Sequence, residues 1–490
     1  MRVKLELPDS IEELKQIIRD QQTLILHQQA SISRLENQVT KLQHLLFGQK
    51  SERRTKHEAK NVGKRTLSRA GKVNGRRSLP EHLTRQRIDY TLDANEQICP
   101  GCQMPLQRIG EVISEQLGCI SPQLYVKQHV RHKYACRHCQ SKVVTATMPE
   151  QPIAKGLASS DLLASLLIDK YEDALPLYRQ ENRWKRLGYA ITRSTLCDWV
   201  SQCAQRLKPI VTAMQMAYLL TSPKIHSDDT PIPVMAKDKT HLGRLWVYVG
   251  GEGNQSPPCV IYQYSPTRSQ TAPLKCLANY QGYLQADAYA GYNLCYASGK
   301  IIEVGCWAHS RRKFVEARLH AKVPTLADTV LNYIGKLYEI ERKAKELPEI
   351  KRYYYRRYHA KPWLKIIYRW LKKYQPITLP KSPLGQAIQY SLNHWQALTN
   401  YLRKGYLSID NNCAERAIKP IVIGRKNYLF AGSHQGAENA AVIYSLIHTC
   451  KALGLNTYDY LKSVLEKLPT TLMKNIADLL PQHWIPTGAI

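Results

Sequence analysis

The sequence predicts a multidomain α/β protein built around a mixed β-sheet. Three observations predict it. A seven-residue apolar repeat runs through residues 11–46, and two C-x-x-C pairs punctuate residues 97–148. From about residue 222 the apolar period switches from helical to strand-like. A chain of 490 residues has room for about three domains. With 43% hydrophobic residues it can fill ordinary globular cores, which excludes wholesale disorder.

The charge is the strongest compositional signal. Seventy lysines and arginines against 39 aspartates and glutamates leave a formal charge of +31. Such an excess destabilises a fold through self-repulsion, so it points to a polyanionic partner, with nucleic acid the leading candidate. The amino terminus, MRVKLELPDS, has no apolar signal core or small-residue cleavage site. No stretch approaches the ~20 apolar residues that span a bilayer. The expectation is therefore a cytoplasmic protein with no membrane partner. Nine of the 13 cysteines are scattered singly, which reads as reduced thiols beside a metal site.

Residues 1–48 are expected to form a coiled-coil helix. Its a positions are Ile11, Ile18, Ile25, Ile32, Val39 and Leu46; its d positions are Leu14, Gln21, Gln28, Leu35 and Leu42. β-Branched a positions with leucine at d suit a parallel, often two-stranded assembly, so a homo-oligomer is expected. Residues 49–90 follow as a flexible linker arm, with eleven basic side chains in 50–77 against Glu52 and Glu58.

Residues 91–150 hold Cys99/Cys102 and Cys136/Cys139, within ICPGC and YACRHC. Two such pairs can place four thiolates about 2.3 Å from one structural Zn2+. The gap of 33 residues between the pairs fits a ribbon with an extended hairpin. Four thiolates fill the coordination shell and leave no position for catalysis.

Residues 151–215 read as helices with helix-turn-helix spacing. The first is capped by Ser159 or Ser160 and carries Leu162, Leu163, Leu166, Leu167 and Tyr171. The second covers 174–186 and stops at Gly188. The third begins after Thr192 with Ser194 as its cap, and carries Leu196, Val200 and Cys203.

Residues 216–435 carry the sheet. Strands are expected at 223–228, 243–250, 258–264, 282–287 and 301–306, with helices near 270–279 and 289–298. A basic helical insertion is expected at about 315–405, and a last helical region at about 411–480, interrupted by Pro420 and Gly424, with 436–490 as a carboxy-terminal helical region. Asp228 ends the first strand, Asp287 ends the fourth, and Glu415 lies in SIDNNCAERAIKP, where Asp410 is placed to cap a short helix. Carboxylates gathered near a core repel one another and are costly unless paired. Divalent cations such as Mg2+ or Mn2+ relieve both problems, and two of them can clamp the oxygens of an in-line phosphodiester displacement. This strand–helix order, with acids ending strands one and four and a third on a late helix, is that of a ribonuclease H-like mixed-sheet catalytic core.

HLLFGQKSERR, KYEDALPLYRQE, STLCDWV, YLQADAYAGY, GCWAHSRRKF, DNNCAERAIKP and IGRKNYLFAGS, in that order along the chain, resemble insertion-sequence 66 family transposases. The resemblance implies a DDE transposase with a coiled coil, a zinc-binding domain, a helix-turn-helix and a ribonuclease H-like core. It implies a metal-binding catalytic triad of Asp228, Asp287 and Glu415 holding two Mg2+ or Mn2+ ions. It also implies cleavage of element ends and their transfer to target DNA, in a bacterial, nucleoid-associated setting where accessory proteins of the same element assist. The family usually reads D-E-T after the first strand; here Asp228-Asp229-Thr230 stands there, so two adjacent acids compete for the first position. The same DNA-binding parts without cleavage would describe a regulator or domesticated relic; a nuclease without strand transfer would share the triad.

Further readings concern flanking residues. Arg311, Arg312, Arg416, Lys419, Arg425 and Lys426 are expected to bind DNA phosphates. His309 is placed either to touch the scissile phosphate or a metal, or to be a structural histidine hydrogen-bonded at a strand end. The run holding Tyr353, Tyr354, Tyr355, Trp363 and Trp370 offers rings that either stack on unpaired bases or pack between helices.

Overall fold

The computed structural model describes residues 123–135, 143–236, 240–251, 256–319 and 325–485, with isolated positions before residue 123. Cys99, Cys102, Cys136, Cys139 and the basic run 50–77 lie outside the described residues, as does most of the heptad segment. The described heptad positions Gln21, Ile25, Gln28 and Leu35 are helical and exposed. Among the described residues no helix is long and apolar enough to cross a membrane.

β1 (Lys133–Ala135) and β2 (Val143–Thr145) pair antiparallel, with Lys133 opposite Thr145.

Three helices follow. α1 (Ser160–Tyr171) buries Leu163, Leu166, Leu167 and Tyr171. α2 (Leu177–Arg186) starts three residues later than the pattern predicts, because Ala174 has φ +57° and Pro176 disfavours helix in the residue before it. α3 (Arg193–Met214) is capped by Thr192, whose hydroxyl accepts the Thr195 N–H at 3.3 Å; Ser194 lies inside the helix instead of capping it. Gly188, at φ +98°, makes the turn between α2 and α3.

The main sheet has five strands in the order β5-β4-β3-β6-β7. They are β3 (Lys224–Val234), β4 (His241–Gly250), β5 (Cys259–Ser265), β6 (Gly282–Gln285) and β7 (Ile301–Val304). β3, β4 and β5 form an antiparallel meander, while β6 and β7 run parallel to β3. Helix α4 (Thr271–Cys276) precedes β6, and a 3-10 turn with α5 (Asn293–Tyr296) precedes β7. β3 continues well past the expected end at residue 228, with Thr230, Ile232 and Val234 buried. β6 pairs with β3 only as far as His226. Beyond that, no strand among the described residues pairs with the edge of β3 away from β4; Asn411 donates to the Ser227 carbonyl there, and Ala431 exchanges backbone hydrogen bonds with Pro233 and Met235. Pro231 and Pro233 lack an N–H on this same edge, where no ladder bond is lost.

The insertion opens with α6 (Trp307–Leu319) and continues through α7 (Leu326–Ala344), α8 (Glu349–Tyr374), α9 (Pro383–Asn393) and α10 (Trp395–Thr399). It has its own core, in which Trp307, Phe314, Val330, Ile334, Leu337, Leu364 and Leu371 pack together. Fully buried Trp307 donates from its indole nitrogen to the Leu398 carbonyl at 2.8 Å.

α11 (Asn412–Tyr428) is neither short nor interrupted: it runs through Pro420 and Gly424 and ends at Leu429, φ +63°. A Cβ on Gly424 would stand 2.9 Å from the Tyr428 ring, so the glycine admits that ring. α12 (His434–Leu453) packs against α3 and along β5, and α13 (Thr457–Lys467) packs on α1. α12 also protects the edge of the sheet: Ser445 and Thr449 accept the N–H groups of Tyr262 and Val260 at 2.8 and 3.0 Å.

Candidate active site: three carboxylates among arginines

β3, β6 and β7 point their carboxyl ends the same way, which in an open α/β sheet is where ligand crevices form. Asp228 lies mid-strand rather than at a strand end, two residues beyond His226, where β6 stops accompanying β3. Asp287 follows two residues after Gln285, the last residue of β6, and accepts the Tyr289 N–H at 3.3 Å. Glu415 sits in the first turn of α11.

A buried polar lattice delivers α11 to this place. Lys224 donates to the Tyr406 carbonyl at 2.7 Å, and Gln285 to the Ser408 carbonyl at 2.7 Å. Asn411 donates to the Ser227 carbonyl at 2.8 Å, and its side-chain oxygen meets His226 Nδ1 at 3.0 Å. Segment 406–411 is thereby tied to β3 and β6. Asp410 accepts the Asn412 N–H at 3.3 Å, while Asn411 holds the N-cap position with its side chain turned to β3 and making no capping bond.

The electrostatics separate the two adjacent aspartates. Successive strand residues face opposite sides. Asp229, with 2% of its side chain exposed, is held by Arg244 at 3.1 Å and Arg268 at 2.8 Å. Asp228 accepts only the Asp229 N–H, at 2.8 Å, and has no cationic partner among the described residues. Burial pushes its carboxyl up to about 7, assisted by repulsion from Asp287, Asp229 and Glu415. Burial also raises Asp287, against the opposing pull of His309 and Arg268.

Cations stand beside the other two acids. Arg312 lies 3.3 Å from Glu415, and Arg268 lies 3.9 Å from Asp287. His309, on the first turn of α6, places Nε2 3.8 Å from Glu415. Its Nδ1 is buried with no hydrogen-bond partner, so it is not the bonded strand-end histidine that one reading expected. Burial, with Arg312 nearby, lowers its pKa and favours the neutral ring. The three predicted acids thus come within electrostatic range of one another. Among the described residues, however, no three His, Cys, Asp or Glu side chains are close enough to hold one ion.

Arg416, Lys419 and Lys426 are exposed at helical spacing on one face of α11, with Ile423 between them. Arg312 is exposed and Arg311 half-buried on α6. Arg425 does not join the stripe: it is half-buried beside Tyr428 and near Arg244. Of the aromatic run, Trp370 is buried and Tyr355 and Trp363 pack on the insertion core, while Tyr354 is 64% exposed. Arg268 is the residue that sequence reasoning missed. It links Asp229 to Asp287, stacks 3.9 Å over the Tyr289 ring, and accepts that tyrosine's hydroxyl at its carbonyl. One arginine in a loop of a chain with 70 cations carries no sequence signal.

Three acids gathered at one end of a mixed sheet and flanked by cations define a class of α/β protein with an acidic site in a basic chain. Comparison with known families narrows the class. Residues 155–439 match the profile described as the transposase IS66 family, residues 96–140 the zinc-finger binding domain of transposase IS66, and residues 445–482 the IS66 C-terminal element. The chain belongs to the IS66 transposase family. Two similar proteins come from Sinorhizobium fredii (strain NBRC 101917 / NGR234). Uncharacterized protein y4hP is 31% identical over 84% of this chain and 77% of its own length. Uncharacterized protein y4jD is 32% identical over 84% of each.

Proposed function

We propose that the protein is a DDE-type DNA transposase that cuts the 3′ ends of its element and joins them to target DNA by metal-dependent transesterification. Asp228, Asp287 and Glu415 would hold two Mg2+ or Mn2+ ions. The observation that carries this reading is Asp228: a deeply set carboxylate without a counter-cation, repelled by two further acids delivered from separate segments. A hard divalent ion suits that donor set. Arg312 and Arg268, 50% and 37% exposed, have room to swing aside from Glu415 and Asp287. The strand order, with an antiparallel meander and two parallel strands beyond it, supports a ribonuclease H-like core.

When bound, the ions would activate the attacking oxygen and stabilise the leaving 3′ oxygen. The attacking hydroxyl is water's in cleavage and the freed 3′ end in joining; each step makes one P–O bond and breaks one, so joining needs no external energy. Neutral His309 adds no charge between Asp287 and Glu415. Arg311, Arg312, Arg416, Lys419 and Lys426 hold phosphates along α6 and α11, and Arg425 supports them from the β4 side.

The remaining parts serve DNA capture. Cys99, Cys102, Cys136 and Cys139 hold one Zn2+, the helices of 151–215 act as a helix-turn-helix, and the coiled coil of 1–48 pairs subunits. Accessory proteins of the element and a nucleoid location fit this role.

The test is purified protein with mapped element-end DNA. Mg2+ should produce 3′ nicks, and precleaved ends should join to a target. Asp287→Ala should do neither while still binding DNA. Equal cleavage by that variant would sink the assignment, and DNA binding without any metal-dependent cleavage by the parent protein would leave a regulator.

A further inference from the structure

A second site lies in the helical insertion, away from the acids. Arg357, Lys361, Leu364, Lys365, Tyr368 and Arg369 of α8 face Trp395, Thr399, Leu402 and Arg403 across a groove of about 520 Å³. On α8 the spacing 357, 361, 364/365, 368 puts these side chains on one helix face. Five cations and no acid line the groove, around a floor of aromatic and aliphatic side chains.

We propose that this groove binds single-stranded DNA, with bases on Tyr368 and Trp395 and phosphates on Arg357, Lys361, Lys365, Arg369 and Arg403. The floor is pre-built. The Tyr368 and Trp395 rings sit 5.1 Å apart at 43°, and Trp395 is braced edge-on by buried Trp307 at 6.0 Å. Tyr368 keeps 38% of its surface exposed. Rings that hold still lose little entropy when a base stacks on them, and a cationic rim steers the backbone past them. An acidic peptide would satisfy the rim and waste the floor, because carboxylate side chains offer no flat apolar face. A duplex would satisfy the rim alone, because its base faces are already stacked. Only an unpaired strand supplies a phosphate and an open base face at every residue. The volume is that of a pocket for a small ligand, with room for a base and none for a double helix.

The experiment uses the full chain without divalent ions and reads the anisotropy of a labelled oligothymidylate and of a duplex of equal length. Tyr368→Ala should weaken the single strand by about 5- to 100-fold, the effect of losing one stacking ring, and shift duplex affinity by less than about twofold. Tyr368→Phe should restore single-strand binding. Should Tyr368→Ala fail to fold, Lys361→Glu on the exposed rim should weaken single-strand binding by roughly tenfold or more. Parental single-strand affinity in Tyr368→Ala, proportional loss on both probes, or parental affinity in Lys361→Glu would each overturn the proposal. Because no cleavage is read and no metal is present, this outcome is independent of the acidic crevice.

Discussion

The acidic crevice and the insertion groove are built in opposite ways. The crevice draws its three acids from β3, the segment just after β6 and α11, segments far apart in sequence that are laced together by Lys224, Gln285 and Asn411. The groove draws most of its lining from one face of one helix. The crevice gathers anions in a chain of net charge +31, whereas the groove concentrates the prevailing charge around rings. The difference teaches what each is for. Anions cost energy to bring together, so a fold that brings them together from a distance is prepared for a cation. Cations around a soft apolar floor need only a polyanion with flat faces.

The largest expected effect breaks the two apart. Asp287→Ala should reduce metal-dependent cleavage by roughly 10³-fold, the scale of losing a pre-organised charge at a reacting phosphate. Tyr368→Ala should cut single-strand affinity yet leave the cleavage rate on saturating element-end DNA within about tenfold. Cleavage and single-strand affinity measured on both variants would show a crossed pattern; parallel losses would mean that the two regions are one site.

Next in size is the residue that joins them. Trp307 braces Trp395 in the groove and begins α6, which carries His309 and Arg312 to the crevice. Trp307→Ala should destabilise the chain by about 3–5 kcal/mol, as a fully buried large ring does when truncated. Urea unfolding would measure it. A loss below about 1 kcal/mol would mean that the insertion core does not depend on this ring.

The sequence made the two regions legible to different degrees. All five strands of the main sheet can be found from the switch to a strand-like apolar period, and the crevice acids stand out because carboxylates at strand ends are anomalous in a basic chain. The extent of β3 could not be read, because Pro231 and Pro233 look like strand breakers until one knows that no strand pairs with their edge beyond His226. α11 reads as broken at Pro420 and Gly424 because the pattern cannot show Gly424 admitting the Tyr428 ring. Arg268 and the groove stayed hidden for a shared reason. Trp395 is one aromatic residue among many, and its meaning comes only from lying opposite Tyr368.

The third effect concerns protons. The raised Asp228 carboxyl means that the folded chain retains a proton that the unfolded chain has already released between about pH 4 and pH 7. Stability from this group is therefore highest below that window and falls as pH rises through it. Asp229, Asp287 and Glu415 all oppose its ionisation. Asp228→Asn should flatten this slope and melt higher than the parent at pH 8 without divalent ions. Saturating Mg2+ should reverse the order, stabilising the parent by up to about 2.7 kcal/mol at a hundredfold excess over its dissociation constant. Melting curves at pH 5 and pH 8, with and without Mg2+, separate these cases. An equal Mg2+ shift in parent and variant would remove Asp228 from the ion site.

The smallest effect tests the exposed cationic stripe on α11. Lys419 and Lys426 are exposed on α11, one and three turns beyond Glu415, so each should contact a phosphate without taking part in folding. Lys419→Ala should leave stability within about 0.5 kcal/mol. It should also lower the slope of log affinity against log salt by about one, because one fewer counterion is released. A duplex titration between low and physiological salt reads the slope directly. An unchanged slope would move the DNA path off this face of α11 and leave the crevice to be approached from the α6 side, where Arg311 and Arg312 would then carry the phosphates alone.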